Sequence, residues 1–139
     1  MLKLLSATEN RGEAAHRASE AALDLWANSR TRHPYLFYMG TDFRKLKYPM
    51  IWYDLLHVAE VLSRFDWLRQ DPRLREMVSA MAAQGDADGR FTSGSVWTAW
   101  NGWDFGQKKV PSRTLTWAVH RVLSRFEGAD GPEADPWKS

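Results

Sequence analysis

The stretch "EVLSRFD" at Glu60–Asp66 returns as "RVLSRFE" at Arg121–Glu127, with Val, Leu, Ser, Arg and Phe identical at an offset of 61 residues. Both copies close a segment whose apolar residues recur at helical spacing, so the match lies at equivalent ends of two helices. An offset of 61 residues holds one helix, a turn, an antiparallel helix and a loop. Two readings follow. Amphipathic helices share short matches by chance; a true duplication instead implies stacked helical hairpins, each unable to bury its apolar face alone.

Working outward, Pro49 opens the second helix, "PMIWYDLLHVAEVLSRF", with an apolar face of Ile51, Leu55, Val58, Leu62 and Phe65. A third helix begins at "DPRLREMVSAMAAQ", where Asp71 caps the free amides and Pro72 takes the first turn; it stops near Gly85. Ser112 caps a fourth, "RTLTWAVHRVLSRF", and Gly128 is placed to end it. The first helix spans Ser6 to about Asn28, opened by a capping box of Ser6 and Glu9 and carried by Ala15, Ala18, Ala22, Leu25 and Trp26. Ser29–Lys47 has no steady period and reads as an extended aromatic connection; residues 128–139 read as a frayed tail. The expectation is one all-α domain over residues 1–139, with the repeats at about 48–127.

There is no cysteine, which removes thiol chemistry, Cys-ligated zinc and disulfides, and fits a reducing compartment. No apolar run approaches the roughly 18–20 residues of a membrane helix, and the N-terminus is too polar for a signal core. A soluble, cytoplasmic protein is expected. A net charge of +2 gives little support to nucleic-acid binding, although Arg30–Lys47 is basic and carries Tyr35, Phe37 and Tyr38 as stacking groups.

Taken together, "YPMIWYDLLHVAEVLSRF", "DPRLREMVSAM", "QGDADGRF" and "VPSRTLTWAVHRVLSRF" resemble the α/α-toroid repeats of the terpenoid cyclase and protein prenyltransferase superfamily, especially its squalene-cyclase-like repeat proteins. The resemblance covers roughly Tyr48–Phe126 and implies inner and outer helices alternating around a barrel, the second and fourth helices being inner and the third outer. It also implies a Gln-x-x-x-Gly-x-Trp signature, matched loosely by Gln84, Gly89 and Phe91, in which the Gln bonds near the start of a neighbouring helix and the ring covers the turn. The family's cyclases use an Asp-x-Asp-Asp acid motif and its prenyltransferases a zinc set that includes Cys; neither is present. The resemblance therefore implies a non-catalytic, incomplete toroid, or the C-terminal part of a larger one, acting as a ligand-binding or interaction module, with no cofactor and no metal. The enzymatic alternative is an isoprenoid-processing cyclase or lyase.

The loop "QGDADGRF" reads as a structural turn, because Asp88-Gly89 is a strong turn former and Asp86 can bond its local backbone. For catalysis the candidates are Asp54 and His57, three apart on one helix face with Tyr53 beside them, as an acid-base pair or as a structural hydrogen-bonded pair. Trp97, Trp100 and Trp103 recur every three residues on a polar loop and read either as packing or as the lining of a ligand site. Lys108 and Arg113 follow, and can meet an anion at the start of the fourth helix. Trp117 and His120 complete the ligand-binding candidates; His120 is not the repeat equivalent of His57, whose partner position is 57 plus 61, or 118. Because two hairpins leave a toroid open, Leu55, Val58, Leu62, Trp117 and Val122 are expected to need cover from outside. The expected partners are a second copy or another helical-repeat chain, with a hydrophobic or isoprenoid-like small molecule as the ligand.

Overall fold

Three helix starts are set by a side chain that accepts a free backbone amide. Asp71 Oδ1 accepts from Arg73 N at 2.9 Å, and Pro72 follows in the first turn, where its missing amide hydrogen costs nothing. Ser112 Oγ accepts from Leu115 N at 3.0 Å. Asp54 Oδ1 accepts from His57 N at 3.1 Å. The computed structural model describes residues 12–31, 41–51 and 54–127, and among them places four α-helices and no strand. These are α1 (Glu13–Ala27), α2 (Leu55–Leu62), α3 (Pro72–Ala82) and α4 (Arg113–Leu123), joined through short 3-10 turns at Thr41–Arg44, Asp66–Leu68 and Thr98–Trp100. The capping box of Ser6 and Glu9, the extended segment around Tyr35, Phe37 and Tyr38, the end signal at Gly128 and the tail all lie outside the described residues.

Helix α2 does not run from Pro49. Its cap is Asp54, held at φ −138° and ψ 174°, an extended conformation through which no helix can continue. Pro49, preceded by a cis peptide bond, and Ile51 belong to the approach to the helix, and Ile51 is exposed rather than part of the apolar face.

The third helix, α3, touches α1, α2 and α4, and α2 also meets α4. Leu74, Met77 and Met81 on α3 are fully buried against Leu23 and Trp26 of α1, the leucines of α2, and Leu115, Val119 and Val122 of α4. Phe43, Leu46, Phe65 and Phe91 seal the core from the connecting segments. This arrangement corrects the expectation that apolar faces stand open: Leu55, Val58, Leu62 and Val122 are all buried within the chain, and of the five residues only Trp117 is exposed. The reason lies in α2, which is short and apolar on nearly every side, the pattern of a helix enclosed by its neighbours. Among the described residues no helix is long and apolar enough to cross a membrane.

Candidate functional site

The turn after α3 is fastened at both ends. Asp86 Oδ1 accepts from the amides of Asp88 and Arg90, each at 2.9 Å, and Gly89 takes φ +70°, the left-handed conformation that glycine adopts without a Cβ penalty. The Arg90 amide, then burial in the opposite sense, then the Asp88 amide and the Arg90 guanidinium leave the Asp86 carboxyl below its ordinary pKa. Arg90 pairs with Asp86 and Asp88, so both acidic groups of the loop are engaged within the turn itself. Helix α4 then straps the turn down. His120 Nε2 lies 2.6 Å from Gly89 O; a carbonyl only accepts, so this nitrogen carries the proton. Phe91 N donates to Thr116 Oγ1 at 2.9 Å, and Ser112 N donates to Phe91 O at 2.8 Å. His120, a ligand-binding candidate in sequence, thus anchors the turn.

The same turn bears on the signature implied by the family resemblance. Phe91 is buried and its ring sits over Gly85. Gln84 Nε2 donates to Arg44 O at 3.0 Å and to Ala80 O at 3.3 Å, which ties it to the end of a 3-10 turn and to its own helix, not to the start of a neighbouring α-helix.

The tryptophan loop is the most exposed aromatic surface among the described residues. Trp97 and Trp103 are 55% and 58% exposed, while Trp100 is half-buried between Trp103 and Phe105, with ring centroids at 6.2 and 5.9 Å. Trp103 stacks on Phe105 at 5.7 Å, and Phe105 meets Tyr48 edge-on at 4.9 Å. These rings stand on a fixed backbone. Ser93 Oγ donates to Phe105 O at 2.8 Å, and Gly94 N donates to Leu46 O at 2.8 Å. Gln107 closes the far end by donating to Asp104 O and Val110 O and accepting from the amides of Lys109 and Val110. Gly106 passes so close to the Trp100 carbonyl that a Cβ there would collide with it.

Asp104 decides what the start of α4 can hold. Its Oδ2 accepts from Ser112 Oγ at 2.8 Å and from Thr114 N at 2.9 Å, and its Oδ1 accepts from Thr114 Oγ1 at 2.8 Å. Burial pushes this carboxyl up, but the amide and hydroxyl of Thr114, the Ser112 hydroxyl and the Phe105 amide outweigh it and hold the pKa below the usual value. The helix start is therefore already filled by a carboxylate from the loop. Lys108 and Arg113 stay exposed beside it, available to an anion only from outside.

Asp54 is fully buried, and the bond it shows to His57 goes to the backbone amide, a capping contact that fixes the helix start. Tyr53 lies outside the described residues. A cluster that sequence reading passed over lies at the other end of α2. Glu60 is buried, yet Arg64, Arg121 and Arg125 all point at its Oε1. The clue was present in the repeat alignment, which sets Glu60 opposite Arg121 at the 61-residue offset.

Comparison of the chain with protein-family models, with curated proteins and with solved structures yields no match.

Proposed function

We propose that the chain is a non-catalytic ligand-binding module of helical hairpins, of the squalene-cyclase-like α/α-toroid kind that its sequence resembles, and that its binding face is the tryptophan loop. One observation carries the reading: the large apolar rings of Trp97 and Trp103 are each more than half exposed, on a backbone that Ser93, Asp104 and Gln107 hold in place. Exposed aromatic surface on a preformed loop is a binding feature, because little ordering entropy remains to be lost when a ligand covers it. Lys108 and Arg113 at the edge of the loop suit a ligand with an apolar body and an anionic end, such as an isoprenoid phosphate. The burial of Leu55, Val58, Leu62 and Val122 favours a small ligand over a second helical-repeat chain as the occupant, since little of the α2 face is left to cover.

The reading is tested by intrinsic fluorescence during titration with a long-chain isoprenoid alcohol and with its diphosphate. The expected result is saturable quenching by both, tighter for the diphosphate, and lost for both in the Trp97→Ala/Trp103→Ala double variant. Unchanged binding in that variant would overturn the assignment. Light scattering on the same samples tells a ligand site from a self-association surface: a dimer in the parent chain that dissociates in the double variant would identify the loop as a contact between copies.

A further inference from the structure

Glu60 lies where the two copies of the repeat meet. Arg64 reaches its Oε1 with Nε at 3.1 Å and with a terminal nitrogen at 2.6 Å. Arg121, the repeat equivalent of Glu60 itself, arrives from α4 at 3.2 Å. Arg125, the repeat equivalent of Arg64, arrives at 3.4 Å and also donates to Glu60 O at 2.9 Å and to Ser63 Oγ at 2.7 Å. Three guanidinium groups thus converge on one carboxylate oxygen. The carboxylate side chain is 2% exposed, whereas those of Arg64, Arg121 and Arg125 are 29%, 40% and 19% exposed. The negative charge is inside and the positive rim faces water.

The charges do not balance. Among the described residues, three cations and one anion leave an excess of two positive charges within a cluster that shares a single oxygen. Among the described residues Glu60 is the one carboxylate paired with any of the three, and Glu127, next along the chain, is exposed and pairs with none of them. Each guanidinium carries five N–H donors, and the bonds to Glu60 and Ser63 use one from Arg121, two from Arg64 and three from Arg125, fewer than half of the donors of the three groups together. An aromatic group borders the rim: the Arg121 guanidinium lies 5.2 Å from the centroid of the exposed Trp117 ring.

We propose that Arg64, Arg121 and Arg125 form a binding site for a small phosphomonoester whose planar ring lies along Trp117. A phosphomonoester carries about −1.5 to −2 at neutral pH, which matches the unbalanced charge, and its three oxygens suit the paired donors of guanidinium groups. Acetate, with one charge and two oxygens, satisfies the site less well. The assignment is independent of the tryptophan loop, which contributes no residue to it.

Two-dimensional NMR of the arginine Nε–Hε groups in the full chain, at constant ionic strength, supplies the test, with inorganic phosphate, phenyl phosphate and acetate as probes. Saturable shifts of Arg64, Arg121 and Arg125 with both phosphates are expected, phenyl phosphate binding more tightly. Arg121→Gln, at the most exposed of the three, should weaken both by about tenfold or more. Trp117→Ala should remove the preference for phenyl phosphate and leave inorganic phosphate unchanged. Equal binding of acetate, unchanged affinity in Arg121→Gln, or shifts confined to Arg113 would each overturn the site. Phosphatidic acid vesicles form a final arm: association with vesicles without binding of soluble phenyl phosphate would overturn the small-ligand assignment. Loss of isoprenoid alcohol binding in Trp97→Ala/Trp103→Ala leaves this result untouched, so the two readings fail separately.

Discussion

Helices α2 and α4 run out into the same five residues, Val-Leu-Ser-Arg-Phe, and live in different surroundings. Seven of the eight residues of α2 are buried, Glu60 included, whereas α4 buries Leu115, Ala118, Val119 and Val122 along one stripe and turns the rest outward. Position by position the contrast is sharper: fully buried Leu56 corresponds to Trp117, which is 56% exposed, and buried Glu60 corresponds to Arg121. One of the two matched helices is a core element, and the other an edge that carries polar and aromatic groups into solvent. A shared sequence thus fixes the local helix, while the layer in which it packs decides what each position can do. Where the environment encloses a position on all sides, a charge survives only if it is paired, and Glu60 is paired three times over.

The largest expected effect breaks the comparison at that pair. Glu60→Ala leaves Arg64, Arg121 and Arg125 facing one another with no counter-charge among the described residues, and should cost about 3–5 kcal/mol in urea denaturation, as removal of one partner from a buried ion pair does. At the equivalent position on the other helix, Arg121→Ala should cost about 0–1 kcal/mol, because its side chain is partly solvated and Arg64 and Arg125 still satisfy Glu60. Similar losses at both positions would mean that the two copies carry equal structural weight, contrary to their burial.

A smaller effect concerns how each helix is started. Helix α2 relies on Asp54 alone among the described caps, whereas α4 has Ser112 and, behind it, Asp104 from the tryptophan loop. Asp104→Ala should cost about 1 kcal/mol, the usual value of a lost capping carboxylate. Its pH dependence has a definite sign. The folded-state pKa of Asp104 is lowered, so its contribution is present above the unfolded carboxyl value of about 3.9 and disappears as pH falls through the folded value. The gap between parent and variant in denaturant midpoint should therefore be full at pH 7 and close below about pH 4. A gap that persists in acid would show that the neutral side chain, not the carboxylate, is what α4 requires.

What the sequence makes legible follows the range of the interaction. Asp71-Pro72, Ser112 and Asp88-Gly89 act on amides or dihedral angles within a few residues, and each performs its expected role. Asp54 carries the same local signal, an acidic residue three before an amide it can accept, but the apolar run from Pro49 conceals it as an interior position. Contacts across the fold leave no such trace: the bond from His120 to Gly89 spans 31 residues, and that from Arg125 to Glu60 O spans 65. Nor does helical periodicity report that α3 and its flanking segments enclose α2, which is why its apolar face reads as open when it is covered. The three-residue recurrence of Trp97, Trp100 and Trp103 marks the loop, but only the fold separates the half-buried Trp100 from its exposed neighbours.

The smallest expected effect tests whether the edge position is free of the core. Trp117→Leu gives α4 the residue that α2 carries at the equivalent place. If the ring lies on the surface, the substitution removes one exposed cation–π contact with Arg121, worth about 0.5–1 kcal/mol, and little besides. Thermal and urea midpoints followed by circular dichroism should then move only slightly, because exposed substitutions away from special features generally change stability by about 0.5 kcal/mol or less. A loss above about 2 kcal/mol lies in the range of a large side chain removed from a packed site. Such a loss would place Trp117 with Leu56 among the residues that hold the two repeat copies together, and the division between a core copy and an edge copy would fail at the position where it is most pronounced.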